Sequence, residues 1–157
     1  MQEDDLKKLK DIAKSLRRCS GKIKLIALLD KAKFEYESNK FFDCEQSCKK
    51  ILEADPNNPI ALRGIGCLKQ ASGDYKNAEF YYQKALKTSQ NKEIEYTLIG
   101  TLYYLQEDLE KALEYYNLAI EINDDYDKAY EGRNQAMLEK HLKLIDIQDS
   151  LIKQKIF

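Results

Sequence analysis

The strongest constraint on the fold of this chain is a pattern of small and aromatic residues that recurs every 34 positions. Four residues of one unit return in the next at this displacement: Gly66, Ala78, Tyr82 and Ala85 recur as Gly100, Ala112, Tyr116 and Ala119. A short fixed period is typical of proteins that stack copies of one supersecondary unit. We therefore expect a repeat architecture rather than one enclosed core.

The unit from Pro59 to Lys92 predicts two helices joined by a tight turn. Its first half has apolar or small residues at helical spacing, namely Leu62, Ile65, Gly66 and Leu68. Gly73 then interrupts the pattern, and glycine readily adopts the positive φ that ends a helix. The second half resumes the same spacing at Ala78, Tyr82, Ala85 and Leu86. The fold class is therefore predicted to be all-α.

The small residues of the unit are expected to have a packing role. Gly66 and Ala78 are predicted to lie where the two helices cross, because larger side chains would hold the helices apart. Tyr82 and Leu62 would then fill the space around the crossing.

This pattern resembles the tetratricopeptide repeat family, in which the unit is about 34 residues long. The family has small residues at the eighth, twentieth and twenty-seventh places and an aromatic residue at the twenty-fourth. Residues 93–126 match best, through Tyr96, Ile99, Gly100, Tyr103, Ala112, Tyr116 and Ala119. Residues 59–92 match well, and residues 25–58 match least, because Lys31 and Glu35 depart from the pattern. The resemblance implies three antiparallel helix pairs in a right-handed superhelix.

Both ends of the chain are predicted to be helical as well. Residues 1–20 have an amphipathic pattern, and Ser20-Gly21 is expected to separate this helix from the first repeat. Residues 127–157 are expected to form the capping helix that seals the open end of such an array. This segment has more apolar residues than one capping helix needs: Leu138, Leu142, Leu144, Ile145, Ile147, Leu151, Ile152 and Ile156.

Composition argues against several classes of function. The chain has 26 basic and 27 acidic residues and a net charge of −1, so it lacks the basic excess that nucleic-acid binding requires. It contains no run of about 18 or more apolar residues, so membrane insertion is not expected. The first ten residues are acidic and then basic without an apolar centre, unlike a secretory signal. We therefore expect a cytoplasmic protein.

The resemblance also predicts which residues contact a partner, because the first helix of each pair lines the concave face of such a superhelix. The predicted peptide-binding residues are Ile60, Arg63, Cys67, Ile94, Thr97, Leu98, Thr101, Tyr104 and Lys128. The same face is predicted to include Ile26, Leu29, Lys33 and Glu131. The apolar residues would anchor the partner, the threonines would bond to its backbone, and Arg63 would steer an acidic end.

One subgroup of the family grips acidic carboxy-terminal peptides of heat-shock chaperones through a two-carboxylate clamp of Lys, Asn and Arg. The corresponding places in this chain hold Leu29, Lys33, Gly64, Ile94 and Leu98. Most of the clamp is missing, so this binding mode is not expected. The groove is instead predicted to be apolar at its centre, with Arg63 and Lys128 as isolated charges.

Residues with catalytic or metal-binding potential have structural explanations. Cys44 and Cys48 are four positions apart, as metal ligands can be, but both occupy core positions of the repeat and are predicted to be buried thiols. Cys67 falls in the groove without a visible neighbouring base. His141 has no identifiable catalytic partner. We therefore predict no catalytic residue, no metal site and no cofactor.

The sequence thus predicts a non-enzymatic module that binds a protein or peptide in its groove, as an adaptor or assembly factor. Other interpretations remain open. The layout of an amino-terminal helix, three repeats and a terminal helix is similar to that of small bacterial chaperones for secreted translocator proteins. The apolar terminal helices also favour a self-associating scaffold, a homo-oligomer, or a groove filled by one of the chain's own ends.

Overall fold

The protein folds into a row of helices. The computed structural model describes the backbone of residues 21–156 and the side chains of residues 21–152. This part of the chain has seven helices and no strand: α1 over residues 21–37, α2 Phe41–Ala54, α3 Pro59–Ala71, α4 Tyr75–Leu86, α5 Lys92–Leu105, α6 Leu109–Ile122 and α7 Asp127–Ile156. The all-α prediction is confirmed. The amphipathic helix predicted over residues 1–20 lies outside the described residues.

The helix α1 extends upstream of the first predicted repeat. Gly21 is already helical, so the interruption expected at Ser20-Gly21 does not fall at Gly21. One glycine costs a helix only about 1 kcal/mol relative to alanine. Packing of the rest of α1 outweighs a penalty of that size.

Each helix packs against its neighbours along the chain, as in a solenoid. Helix α3 contacts α2 and α4, and α5 contacts α4 and α6. Helix α7 lies against α6 and also reaches α5, in the place of the first helix of a further repeat. Successive core clusters form around Cys48, Tyr82 and Tyr116. The fold is therefore an array of small cores that share helices with their neighbours.

The turn inside the helix pair has the same backbone geometry in three successive helix pairs, α1–α2, α3–α4 and α5–α6. One residue in each turn has a positive φ, which is 58° at Asn39, 78° at Gly73 and 62° at Glu107. The next amide then donates to a carbonyl oxygen in the last turn of the preceding helix, as from Asp74 to Lys69 at 2.9 Å. The sequence indicated this turn only at Gly73, because the other two residues carry side chains in a conformation that favours glycine.

Polar caps fix the starts of three helices. The side chain of Asp74 accepts a hydrogen bond from a first-turn amide of α4, and Asp108 does the same for α6. Asn58 caps α3, in which Pro59 occupies the first position. These carboxylate and amide oxygens bind backbone donors that have no partner within the helix. The caps therefore determine where each helix begins.

Close helix crossings explain the small residues of the repeat. A Cβ atom added to Gly66 would lie 2.5 Å from the ring of Tyr82, and one added to Gly100 would lie 2.9 Å from the ring of Tyr116. Both tyrosines are almost fully buried, so their rings have little room to move. The predicted packing role of Gly66 is confirmed. Tyr116 also lies against Gly132, where an added Cβ would approach its ring to 2.5 Å.

The two residues of the first predicted repeat that depart from the family pattern bond to each other. Lys31 Nζ lies 3.3 Å from Glu35 Oε1, and the Ser47 hydroxyl donates to Glu35 Oε2 at 2.7 Å. The hydrogen bond from Ser47 holds the pKa of Glu35 below its usual value, although burial acts in the opposite direction. A carboxylate is therefore accommodated in the core, at the place where the third repeat has Tyr103, because α2 supplies a donor.

Helix α7 extends beyond the array. It has 30 residues, which corresponds to a length of about 45 Å. Ala129 and Ala136 in its first half are fully buried, and Lys143 Nζ bonds to Glu107 Oε2 at 3.1 Å. Every side chain from residue 141 to residue 152 is exposed, so the surplus of apolar residues lies outside the array. Neither α7 nor any other helix within the described residues is long and apolar enough to cross a membrane.

Candidate functional site

One side of the array holds two adjoining cavities. The smaller, of about 340 Å³, is bordered by α1, α2 and α3. The larger, of about 830 Å³, is bordered by α1, α3, α5 and α7. Four residues line both cavities and make them continuous: Lys33, Tyr36, Arg63 and Cys67. We call this continuous surface the concave groove, and the volume of each of its two cavities is in the range of known ligand sites.

All nine predicted peptide-binding residues line the concave groove. Ile60 borders the smaller cavity. The other eight border the larger one: Arg63, Cys67, Ile94, Thr97, Leu98, Thr101, Tyr104 and Lys128. Leu29, Lys33 and Glu131 also line the groove, whereas Ile26 lines neither cavity and is exposed one turn nearer the start of α1. Contact of the nine residues with a partner remains a prediction.

The larger cavity is also lined by residues that the sequence did not place in the groove, among them Tyr36, Leu105, Tyr126 and Gln135. Three of them follow predicted groove residues at helical spacing, since Tyr36 comes three positions after Lys33 and Leu105 four after Thr101. Extending the same helical face by one turn would have found them. Tyr126 precedes α7, and only the packing of the array brings it to the groove.

The concave groove contains a buried ion pair that links the second and third repeats. Arg63 Nε and Nη2 both donate to Glu95 Oε1, at 2.9 and 2.7 Å. The Glu95 side chain is completely buried, whereas that of Arg63 keeps 22% of its surface exposed. Glu95 Oε2 has no hydrogen-bond partner among the described residues. Arg63 is therefore not the isolated charge expected from the sequence, because it neutralises a carboxylate beneath it.

The threonine hydroxyls of the groove are also less available for hydrogen bonds to a partner than the sequence predicted. The hydroxyl of Thr101 donates to the carbonyl oxygen of Thr97 at 2.9 Å and accepts from Tyr116 at 3.1 Å. Thr97 is 8% exposed, and its hydroxyl oxygen is buried without a partner in the described part of the chain. Side-chain bonds from these threonines to a partner's backbone would need local rearrangement of α5.

The cysteines that the structure describes are poor nucleophiles. Cys44 and Cys48 are almost fully buried in the core, as predicted. Burial raises the pKa of Cys48 to about 12. It also raises the pKa of Cys67, whose sulfur accepts a hydrogen bond from Tyr82 at 3.4 Å. These thiols are protonated at neutral pH, and the thiolate is the reactive form. No cluster of three potential metal ligands occurs within the described residues.

The remaining surface of the groove is apolar with charged edges. Ile60 is half exposed, Leu105 is 45% exposed, and Ile94 and Leu98 are partly accessible. Lys128 lines the larger cavity and forms no ion pair with any residue that the structure describes. The arrangement suits noncovalent contact with apolar side chains of a partner, since anchors of this kind give affinity and charged edges give orientation.

The carboxy-terminal helix forms a wall of the groove and does not fill it. Lys128, Glu131, Gly132 and Gln135 from the first half of α7 line the larger cavity. The residues of the second half up to 152 are all exposed. His141 begins this exposed part, with its Nδ1 atom 2.7 Å from a carbonyl oxygen of its own helix. The described part of α7 therefore does not occupy its own groove.

Sequence profiles of one family match the chain at two consecutive places. Profiles of the tetratricopeptide repeat match residues 64–92 and residues 94–126. These matches cover the third predicted repeat and most of the second. No curated protein sequence matches the chain significantly.

Solved structures share the fold at low sequence identity. An O-GlcNAc transferase mutant of Thermobaculum terrenum has a TM-score of 0.70 and 23% identity over 74% of this chain, which spans only 22% of the transferase. The Yersinia enterocolitica type III secretion chaperone SycD, in complex with a peptide of the translocator YopD, has a TM-score of 0.64 and 19% identity over 74% of this chain and 94% of SycD.

A third similar structure is the second TPR domain of human RPAP3 in complex with the HSP70 peptide SGPTIEEVD. It has a TM-score of 0.64 and 13% identity over 74% of this chain and 98% of that domain. At these identities the likeness shows the fold. The 34-residue period and the two profile matches identify residues 64–92 and 94–126 as tetratricopeptide repeats, and the solved structures share the helical fold of the chain.

Proposed function

We propose that this chain is a protein-interaction module that holds a segment of another protein in the concave groove, without catalysing a reaction. The observation that carries this proposal is the continuity of the groove, which runs from the first repeat to α7 with an apolar floor. A continuous groove accommodates an extended segment of several residues, whereas a small-molecule enzyme needs a closed constellation of reactive groups.

The residues that line the groove indicate which side chains the bound segment has. Ile60, Ile94 and Leu98 offer apolar contacts at intervals along the groove. Lys128 is the cation best placed to meet an acidic group, because Arg63 is already bound to Glu95. The preferred segment therefore has two or three apolar side chains and one acidic residue that reaches the α7 side.

Acidic chaperone termini are not expected to bind. The RPAP3 domain holds an HSP70 peptide that ends in EEVD, but this chain has apolar residues or glycine at most places of the two-carboxylate clamp. Ile94 and Leu98 would face carboxylates with no compensating donor, which is unfavourable in a partly buried site. We expect no measurable binding of SGPTIEEVD by isothermal titration calorimetry.

The groove can be tested with one matched pair of variants. Ile60→Glu places a charge at a half-exposed apolar position inside the groove, and Phe80→Glu does the same at a 59% exposed position on α4 outside it. A displayed library of random peptides is selected against the native protein, and the selected peptides are measured against both variants. We expect Ile60→Glu to weaken binding about tenfold or more, corresponding to about 1.4 kcal/mol, and Phe80→Glu to leave it unchanged. Equal binding to both variants would contradict the groove assignment.

A second candidate function is that of a dedicated chaperone. The observation that favours it is the match over 94% of SycD, a type III secretion chaperone crystallised with a peptide of its translocator. If this chain is such a chaperone, a client encoded beside it should be insoluble when expressed alone and soluble when the two are expressed together. Co-expression with Ile60→Glu should then lose the solubilising effect.

A further inference from the structure

The second half of α7 is an apolar helix that the rest of the described chain does not cover. Six of the twelve residues from 141 to 152 are leucine or isoleucine, and each has 50–56% of its surface exposed. Monomeric proteins rarely leave contiguous apolar patches larger than a few hundred Å² in water. A free helix of about this length is also only marginally stable without packing. Both arguments indicate that another surface covers this segment.

The apolar residues fall into two stripes along the helix. We call Leu138, Leu142, Ile145 and Ile152 the outer stripe, because at 100° per residue they lie opposite the buried Ala129 and Ala136. Their spacings of four, three and seven residues follow the heptad pattern of helices that pair along their length. Asp149 occupies the position that would complete the stripe between Ile145 and Ile152.

We propose that the outer stripe is covered by the outer stripe of a second copy of this chain, in antiparallel orientation. About residue 147, an antiparallel arrangement pairs Leu142 with Ile152, which lie five positions on either side, and pairs Ile145 with the polar Asp149, which lie two positions on either side. An antiparallel second copy therefore places Leu142 opposite Ile152 twice, as a two-fold interface requires. The same orientation places the two solenoids at opposite ends of the paired helices.

The available area sets the expected strength of this association. The exposed parts of four side chains on each copy amount to roughly a few hundred Å² at most, which is at the lower end for a specific interface. The dimer should therefore be reversible, with dissociation at micromolar concentrations. Association through α7 leaves the concave groove open, so the proposal stands independently of the ligand of the groove.

Asp149 allows a test in which a substitution should strengthen the association instead of weakening it. A single polar residue in an otherwise apolar seam fixes register at a cost in stability. In the antiparallel pair each Asp149 carboxylate lies opposite Ile145 of the other copy. Asp149→Leu should therefore strengthen the association, whereas the same leucine at Ser150, about 100° around the helix from Asp149 and outside the outer stripe, should not.

Sedimentation equilibrium of the full chain measures the effect directly. Native protein should approach twice its monomer mass of 18.3 kDa at high micromolar concentration. Leu142→Glu should weaken the dimer about tenfold or more, and the matched variant Ser150→Glu should leave it unchanged. Asp149→Leu should tighten the dimer, and Ser150→Leu should behave like native protein. Circular dichroism of each variant checks that the solenoid is still folded.

Three results would overturn the proposal. The first is a native chain that remains monomeric throughout the concentration range. The second is equal association of Leu142→Glu and Ser150→Glu. The third is loss of association in Ile147→Glu but not in Leu142→Glu, which would assign the contact to the other apolar stripe, formed by Leu144, Ile147 and Leu151.

Discussion

Replacement of Arg63 tests whether the buried carboxylate of Glu95 depends on its ion pair. Glu95 is fully buried and takes both of its hydrogen bonds from the guanidinium, at 2.7 and 2.9 Å. Removing one partner of a buried pair typically costs about 3–5 kcal/mol, because the remaining charge has lost its solvent and its counter-ion. We therefore expect Arg63→Met to lower the melting temperature by roughly 6–20 °C.

Replacement of Glu95, the other member of the ion pair, should destabilise the fold less. Glu95→Leu leaves a guanidinium that is 22% exposed at the groove and can recover hydration, so we expect a loss of about 1–2 kcal/mol. The double variant Arg63→Met/Glu95→Leu should lie close to the native protein, because a hydrophobic pair often replaces a buried ion pair without loss. The resulting coupling energy would be about 4–7 kcal/mol, above the roughly 0.5–3 kcal/mol usual for residues in contact.

Urea unfolding followed by circular dichroism measures the three variants, with Lys69→Met as the control. Lys69 Nζ lies 3.9 Å from Glu45, and both side chains are about a third exposed, so its loss should cost less than about 1 kcal/mol. The reasoning is refuted if Arg63→Met is no more destabilising than Glu95→Leu, or if the double variant is worse than both singles. Charge reversal at Arg63 is unsuitable as a binding test, since it would place a second carboxylate beside Glu95.

Three other substitutions test the repeat. Glu107→Gly should raise the free energy of unfolding by about 1 kcal/mol, because it relieves a side chain at a positive φ of 62°; a lower melting temperature would contradict this. Gly100→Ala should cost about 1–3 kcal/mol, since its Cβ would lie 2.9 Å from the Tyr116 ring, and an unchanged urea midpoint would show that the ring can move. Ser47→Ala removes the hydrogen bond that lowers the pKa of Glu35 from its usual 4.5. A carboxyl group with a lowered pKa stabilises the fold at pH values above the pKa that the group has in the unfolded state. The stability lost by Ser47→Ala should therefore be largest at neutral pH and should shrink as the pH falls below about 4.5. A difference that does not depend on pH would refute this assignment.

Much of the fold follows from local features of the sequence. Gly66 and Tyr82 recur at a fixed distance because one crossing geometry is repeated, so their spacing predicts the helix pairs. The predicted groove face follows from the register of the family that the repeat resembles, and Ile60 and Lys128 line the groove as that register implies. The sequence did not predict the turns at Asn39 and Glu107, because glycine is the residue that indicates a positive φ and neither position has one.

Contacts between side chains on different helices could not be predicted from local features of the sequence. Arg63 and Glu95 are 32 positions apart on different helices, and no local pattern says that one neutralises the other. The hydrogen bonds of Thr101 likewise depend on where Tyr116 reaches across from α6. These contacts change the expected roles of groove residues from ligand binding to support of the fold.

The sequence by itself determined that the chain is a helical repeat, where its helix pairs lie and that its last helix has more apolar surface than a cap requires. These properties depend on residues within one turn or one helix pair, and short-range sterics and periodicity govern them. The tertiary structure decided which groove side chains remain free for a partner and which face of α7 is left uncovered. Those properties depend on distances between separate helices, which only the packed array fixes.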